Sequence, residues 1–294
     1  VSDRIIEEIL EIVNSLKIYL LYQKSLGAFA YGMDISEEIK AESEKSQRIE
    51  QVIHKIQNRV SEDKGNFFTM NLFEKPEDDV SKAKDNTAVK FNMSTEEKIK
   101  LLNVLREEVG DNCKRCRLGS LVRSKVVFGE GNPDARIMFI GEGPGEEEDN
   151  QGLPFVGRAG QLLTRIIRAM GLERSDVYIA NVVKCRPPEN RTPFPDEMDV
   201  CGEFLKRQIS IIMPEVIIAL GGTAASFLLR DYRIKISQVR TRELQYRNND
   251  IVIPMVATFH PSYVLRRGES TEVKKEVWND IKIALNLIGM EVKK

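Results

Sequence analysis

A chain of 294 residues, 41% hydrophobic and 30% charged, has enough apolar material for one sizeable core with segments to spare, which excludes a wholly disordered protein. The formal net charge of −1 excludes a polycationic chain, yet residues 113–294 carry 28 Lys/Arg against 23 Asp/Glu, a lean toward an anionic partner that a solvated face explains equally well. No apolar run approaches the length of a membrane span, and the opening VSDRIIEEIL lacks the basic start of a signal peptide, so a reducing, cytoplasmic setting is expected.

Apolar residues recur at Ile5, Ile9, Ile12, Leu16 and Leu20, the period of an amphipathic helix over residues 3–26. After a Gly-containing turn, a second helix is expected from near Ser36 through Ile39, Ile49, Ile53 and Ile56, closing a helical hairpin over residues 1–61. Its apolar stripe must be buried on a second copy, on a protein partner or on the rest of the chain. Residues 62–93, rich in Asp, Lys, Asn and Pro without periodicity, read as a flexible linker. Ser94-Thr-Glu-Glu97 is a capping box for a helix through Ile99, Leu102 and Leu105 toward Val109, and it opens a second domain over residues 94–294.

From there the pattern becomes strand, loop, helix, four times over. Apolar runs at residues 136–140, 177–183, 216–220 and 252–259 are followed by GEGPG, KCRPPENRTP, GGTAA and His-Pro-Ser, and helical stretches at 157–170, 196–212, 223–229 and 272–288 fill the intervals. Such alternation predicts an α/β domain, a parallel sheet with helices on both faces. Ligands of these sheets sit beyond the carboxyl ends of the strands, where every unusual loop of this chain falls.

All four cysteines belong to one pattern, Cys113-x2-Cys116, Cys185 and Cys201. Four soft ligands from separate stretches make a metal centre the leading idea. The second pair is not a short knuckle of the kind usual in structural zinc sites, which favours a [4Fe-4S] cluster over zinc. Two disulfides would be out of place in a reducing compartment.

Among the loops, Gly141-Glu-Gly-Pro-Gly145 matches no phosphate-binding pattern: Pro144 removes an amide donor, and the acids Glu146 to Asp149 would repel phosphate. Its glycines allow a backbone to approach a flat ligand, or merely form a turn. Phe155, between Pro154 and Val156 in a Gly-bounded turn, suits stacking on a base or plugging a helix entry. Asn181 at the second strand's end offers one acceptor and two donors in a plane, and would otherwise be a strand-end cap. His260, after the fourth strand and before Pro261, is better placed for a site than for the core. Neither a G-x-S-x-G elbow nor an H-E-x-x-H zinc motif is present.

Taken together, CKRC, GEGPGEEEDNQGLPFVGRAG, NVVKCRPPENRTP, ALGGTAA and FHPSYVLR resemble the family 4, iron-sulfur uracil-DNA glycosylases, over residues 98–290 and in the family's order. The resemblance implies a three-layer α/β/α fold on a four-stranded parallel sheet and a structural [4Fe-4S] cluster on Cys113, Cys116, Cys185 and Cys201. It implies a DNA repair enzyme of prokaryotic cytoplasm that flips uracil from single- or double-stranded DNA and hydrolyses its N-glycosidic bond. Phe155 would stack on the base, Asn181 would read its edge, the backbone at Gly143 would contact its carbonyl, and His260 would donate to the departing base. The best-known branch of the superfamily has an Asp where Gly143 stands, so Glu142, then Glu148, are the candidates for activating water. Val264 or Leu265 would wedge into the duplex, and Arg266 would meet phosphate. The missing Asp also admits a catalytically silent DNA-binding or damage-sensing module with the same cluster, and a zinc-stabilised nucleotide-binding protein is a third reading.

Overall fold

The structure, a computed structural model, describes residues 93–121 and 123–291. The hairpin expected over residues 1–61, with its partner or self-association surface, lies outside the described residues, as does the expected linker up to residue 92. The helices are α1 (Thr95–Val109), α2 (Glu146–Gln151), α3 (Arg158–Ala169), α4 (Pro195–Ile212), α5 (Gly222–Leu229), α6 (Ile236–Val239), α7 (Pro261–Arg266) and α8 (Thr271–Leu287). The strands are β1 (Glu130–Gly131), β2 (Ile137–Gly141), β3 (Tyr178–Asn181), β4 (Val216–Leu220), β5 (Leu244–Asn248) and β6 (Ile251–Thr258). The Ser94 hydroxyl accepts the Glu97 N–H while the Glu97 carboxylate accepts the Ser94 N–H, so α1 starts on the capping box its sequence spells.

The sheet runs β1-β3-β2-β4-β6-β5. Its four inner strands are parallel, as expected from four strand-loop-helix units. The antiparallel edges β1 and β5 make the whole a mixed, six-stranded sheet. Both edges lack an apolar run: β1 is two residues long, and Tyr246 is the only buried side chain of β5. β5 is recruited by its turn, where Asn249 takes φ 50° and returns the chain directly into β6.

Strand side chains alternate between two cores. Met138, Ile140, Ile217, Ala219, Met255 and Ala257 pack with α1, α4 and α5. Ile137, Phe139, Ile218, Leu220 and Val256 pack with α3, α7 and α8. Burial on both faces is why β2 and β4 read as unbroken apolar runs rather than as alternating strands. The chain leaves β2 to one side for β3 and to the other for β4, so the order reverses at β2 and opens a crevice over its carboxyl end.

A buried polar pin holds the fourth parallel strand. Asp280 of α8 accepts from Thr258 Oγ1 at 2.8 Å and Arg240 Nε at 2.9 Å, and the Arg240 guanidinium lies 4.0 Å from the Phe259 ring centre. Asp280→Ala leaves a buried guanidinium that, among the described residues, has only the half-exposed Glu276 to pair with. The expected cost is about 3–5 kcal/mol, read as a lower denaturation midpoint in urea.

Candidate active site

The ends of β2, β3, β4 and β6 open into a cleft of about 760 Å³ whose lining includes Glu142, Gly143, Glu148, Phe155, Asn181, His260 and Arg266. Gly141, the last residue of β2, makes their convergence possible. A Cβ there would lie 2.4 Å from Asn181 Oδ1 and 2.5 Å from the Phe155 ring, distances no side chain could occupy. Gly143 is similarly hemmed, since a Cβ would stand 2.7 Å from Val183.

Phe155 adopts φ 53°, an unfavourable backbone state for an aromatic residue, so its turn must be held from outside. Glu148 holds it from one side, its Oε1 accepting the amides of Val156 and Gly157 at 2.9 Å each and its Oε2 that of Gly145 at 3.2 Å. Arg174 holds it from the other, donating to the carbonyls of Pro154 at 2.8 Å and Phe155 at 3.0 Å while paired with Glu130. The result sets the Phe155 ring 5.6 Å from the His260 ring, centre to centre. Glu148 is thereby committed to loop architecture, a role its place in an acidic run did not disclose.

Asn181 is buried, and among the described residues no donor reaches its Oδ1. Such an acceptor is costly unless something in the cleft donates to it. Its carbonyl is fixed by Lys184, whose fully buried ammonium donates to Asn181 O at 2.8 Å and Gln208 Oε1 at 2.6 Å. Gln208 in turn donates to Phe128 O at 3.0 Å. Sequence reasoning passed over Lys184, although its place between Asn181 and Cys185 was visible.

His260 is the N-cap of α7. Its Nδ1 accepts the Ser262 N–H at 3.1 Å, with Ser262 Oγ 2.7 Å away, so the neutral ring carries its proton on Nε2. Burial, assisted by Arg266, pushes its pKa down to about 4, which keeps the imidazole neutral near pH 7. Glu142 shifts the opposite way: burial raises its pKa, while a hydrogen bond from Thr223 Oγ1 at 2.5 Å and the charge of Arg266 pull it back. The cleft thus presents a neutral donor and a carboxylate with raised proton affinity.

The α7 residues divide otherwise than expected. Arg266 is exposed and lines the cleft, but Val264 is 2% exposed within the apolar core and cannot wedge into a duplex. Leu265 is half-buried and packs on that core. Helical periodicity over Pro261–Arg266, hidden in so short a segment, turns Val264 inward.

The cysteines belong to the core on the other face of the sheet from Phe155. All four are free; Cys185 and Cys201 are buried, and Cys113 and Cys116 pack on the core that contains them. Gly119 lets the knuckle fold back on itself, because a Cβ there would lie 2.1 Å from Cys113 O. Cys185 Sγ accepts from Arg123 at 3.2 Å and Cys201 Sγ from the Lys184 N–H at 3.2 Å. Burial raises the thiol pKa values of Cys116 and Cys185, and that of Cys201 to about 12, so a bound cation would be needed to hold them as thiolates. Among the described residues no three His, Cys, Asp or Glu side chains close in on a single ion.

The sequence model of the uracil DNA glycosylase superfamily matches residues 128–282. The chain is 52% identical over 191 residues to the Type-4 uracil-DNA glycosylase of Thermotoga maritima, covering 65% of this chain and 96% of that relative. It is 42% identical over 185 residues to the Type-4 uracil-DNA glycosylase of Sulfurisphaera tokodaii, 62% of this chain and 83% of the relative. Against the enzyme of the same name in Saccharolobus solfataricus it is 43% identical over 189 residues, 63% of this chain and 87% of the relative.

The cleft also depends on Gly160 of α3, where a Cβ would fall 1.8 Å from Phe155 O. Gly160→Ala should cost about 1–3 kcal/mol by overpacking, lowering Tm, and should displace Phe155. The displacement is read from a shifted His260 imidazole resonance.

Proposed function

This chain belongs to the uracil DNA glycosylase superfamily, and from that membership we propose that it flips uracil out of DNA and hydrolyses the N-glycosidic bond, leaving an abasic site. The observation that carries the reading is the buried, unmatched Oδ1 of Asn181, a residue that lines the cleft together with Phe155 and His260. Uracil presents N3–H to that acceptor and O4 to the amide donors; cytosine presents the reverse pattern. Phe155 stacks on the base, with the backbone at Gly143 beside it.

In the reaction, water adds to C1′ as the N1–C1′ bond breaks and uracil leaves with the bonding pair. His260 Nε2–H donates to the charge growing on O2, electrostatic help that is strongest in the transition state. Glu142 accepts the proton of the attacking water, a role its raised proton affinity suits. Glu148 acts as a positioning residue for the Phe155 turn. Arg266, and Leu265 where half-exposed, meet the DNA at the cleft mouth.

Cys113, Cys116, Cys185 and Cys201 are the residues that would hold a [4Fe-4S] cluster, whose four thiolate ligands match the four free cysteines. When bound, the cluster cross-links the entry to the domain, the loop after β3 and α4. Arg123 and Lys184 supply hydrogen bonds to the sulfurs and positive charge beside the thiolates. Among the described residues no helix is long and apolar enough to cross a membrane.

An oligonucleotide containing one uracil, treated with the protein and then with hot alkali, should be cut at the uracil. Binding of that DNA without cleavage would identify a silent binding module instead. Asn181→Ala should slow single-turnover excision by about tenfold to a hundredfold. Cys185→Ser should remove iron, sulfide and visible absorbance together and weaken excision. A cluster-free variant with native fold and full excision would sink the cross-link role, and one zinc per chain without iron would sink the cluster.

A further inference from the structure

We propose that Thr223 is a positioning residue for the reaction: its hydroxyl, donated to Oε2 of Glu142, anchors that carboxylate at the end of β2 and leaves Oε1 to take a proton from water. This rests on the reading of Glu142 as the base. Thr223 Oγ1 stands 2.5 Å from Glu142 Oε2, and among the described residues no hydrogen bond occupies Oε1. The hydroxyl is delivered by the β4–α5 turn, where Gly221 takes φ 95° and its N–H donates to Thr258 O at 2.8 Å. A Cβ at Gly221 would lie 3.1 Å from the His260 Cβ, so the turn fits between the strand ends that carry Glu142 and His260.

α5 does not need this hydroxyl for its own packing, because Ala224, Ala225, Phe227 and Leu228 anchor it in the core. Nor do the neighbouring charges replace it. Arg266 on α7 acts on Glu142 through space, Glu148 on α2 is bound to three amides, Arg191 is paired with Glu197, and His260 is neutral. A carboxylate accepts this hydrogen bond in its ionised form, so Thr223 counters the burial that favours the protonated acid.

The test is the pH profile of single-turnover uracil excision by the full-length, cluster-containing protein. In the wild type, excision falls with decreasing pH as Glu142 protonates. Thr223→Val should move that acid limb up by about one pH unit, making excision about tenfold slower on the limb and near normal on the alkaline plateau. Thr223→Ser, which keeps the donor, should restore the wild-type limb; Thr223→Ala serves if the valine variant shows a lowered Tm. Glu142→Gln separates the two readings. If it abolishes the limb and most of the rate while neither Thr223→Val nor Thr223→Ala moves the limb, the Thr223 proposal is overturned alone. If Glu142→Gln excises at the wild-type rate with the limb intact, the base assignment itself falls, and this proposal with it.

Discussion

The cleft is organised around a missing side chain. Gly141 ends β2 at the point where the sheet order reverses, and both Asn181 and the Phe155 ring occupy space that a Cβ would need. Any other residue there would drive apart the Asn181 amide and the Phe155 ring. The constraint propagates outward. Because Phe155 must lie against Gly141, its backbone is held at φ 53°, and because that state is unfavourable, Glu148 and Arg174 clamp the turn from two sides with five hydrogen bonds to backbone groups. Gly160 then lets α3 begin directly against the Phe155 carbonyl.

A second set of contacts links the cleft to the cysteines without passing through the turn. Lys184 follows Asn181 by three residues and immediately precedes Cys185; its ammonium holds the Asn181 carbonyl and its own N–H reaches Cys201 Sγ. Gln208 receives the same ammonium and ties it to α4, the helix that carries Cys201. Burial of an ammonium without a carboxylate partner is expensive and pushes the Lys184 pKa down to about 7, an effect that negative charge on Cys201 would oppose. Thiolates held on a bound cation would give that charge a permanent counterpart. Asn181 and the cysteines are therefore neighbours in one polar network as well as in sequence.

Much of this was legible before any coordinates. The four parallel strands announce themselves because burial on two faces demands unbroken apolar runs such as Ile137 to Ile140 and Val216 to Leu220, and the glycine-rich loops lie where parallel strands end. What escaped detection shares one cause, dependence on contacts remote in sequence. β5 pairs through its backbone and buries only Tyr246, so its composition carries no strand signal. Glu148 sits in an acidic run and was expected as a second candidate for activating water, but three amides surround its carboxylate. Val264 was expected to meet DNA, but α7 is too short for a period to show which way it faces. Thr223 lies 81 positions from Glu142, and no local pattern encodes their meeting.

His260 and Glu142 in the cleft are both shifted by the same burial. Removing a charge from water disfavours it whatever its sign, so the imidazole of His260 is driven toward its neutral form and the carboxyl of Glu142 toward its neutral form as well. For the histidine that result is useful as it stands, since a neutral ring with Nδ1 engaged by Ser262 offers Nε2–H to a developing anion without first binding it as an ion pair. For a base it is a handicap, because a protonated acid accepts nothing. A uniformly dry pocket would therefore suit the donor and disable the acceptor. The cleft avoids this by treating them unequally: Arg266 reinforces the effect of burial on His260 and opposes it on Glu142, and the Thr223 hydroxyl adds to the opposition at Glu142 alone. One arginine in the lining thus favours the neutral imidazole and the ionised carboxylate at once.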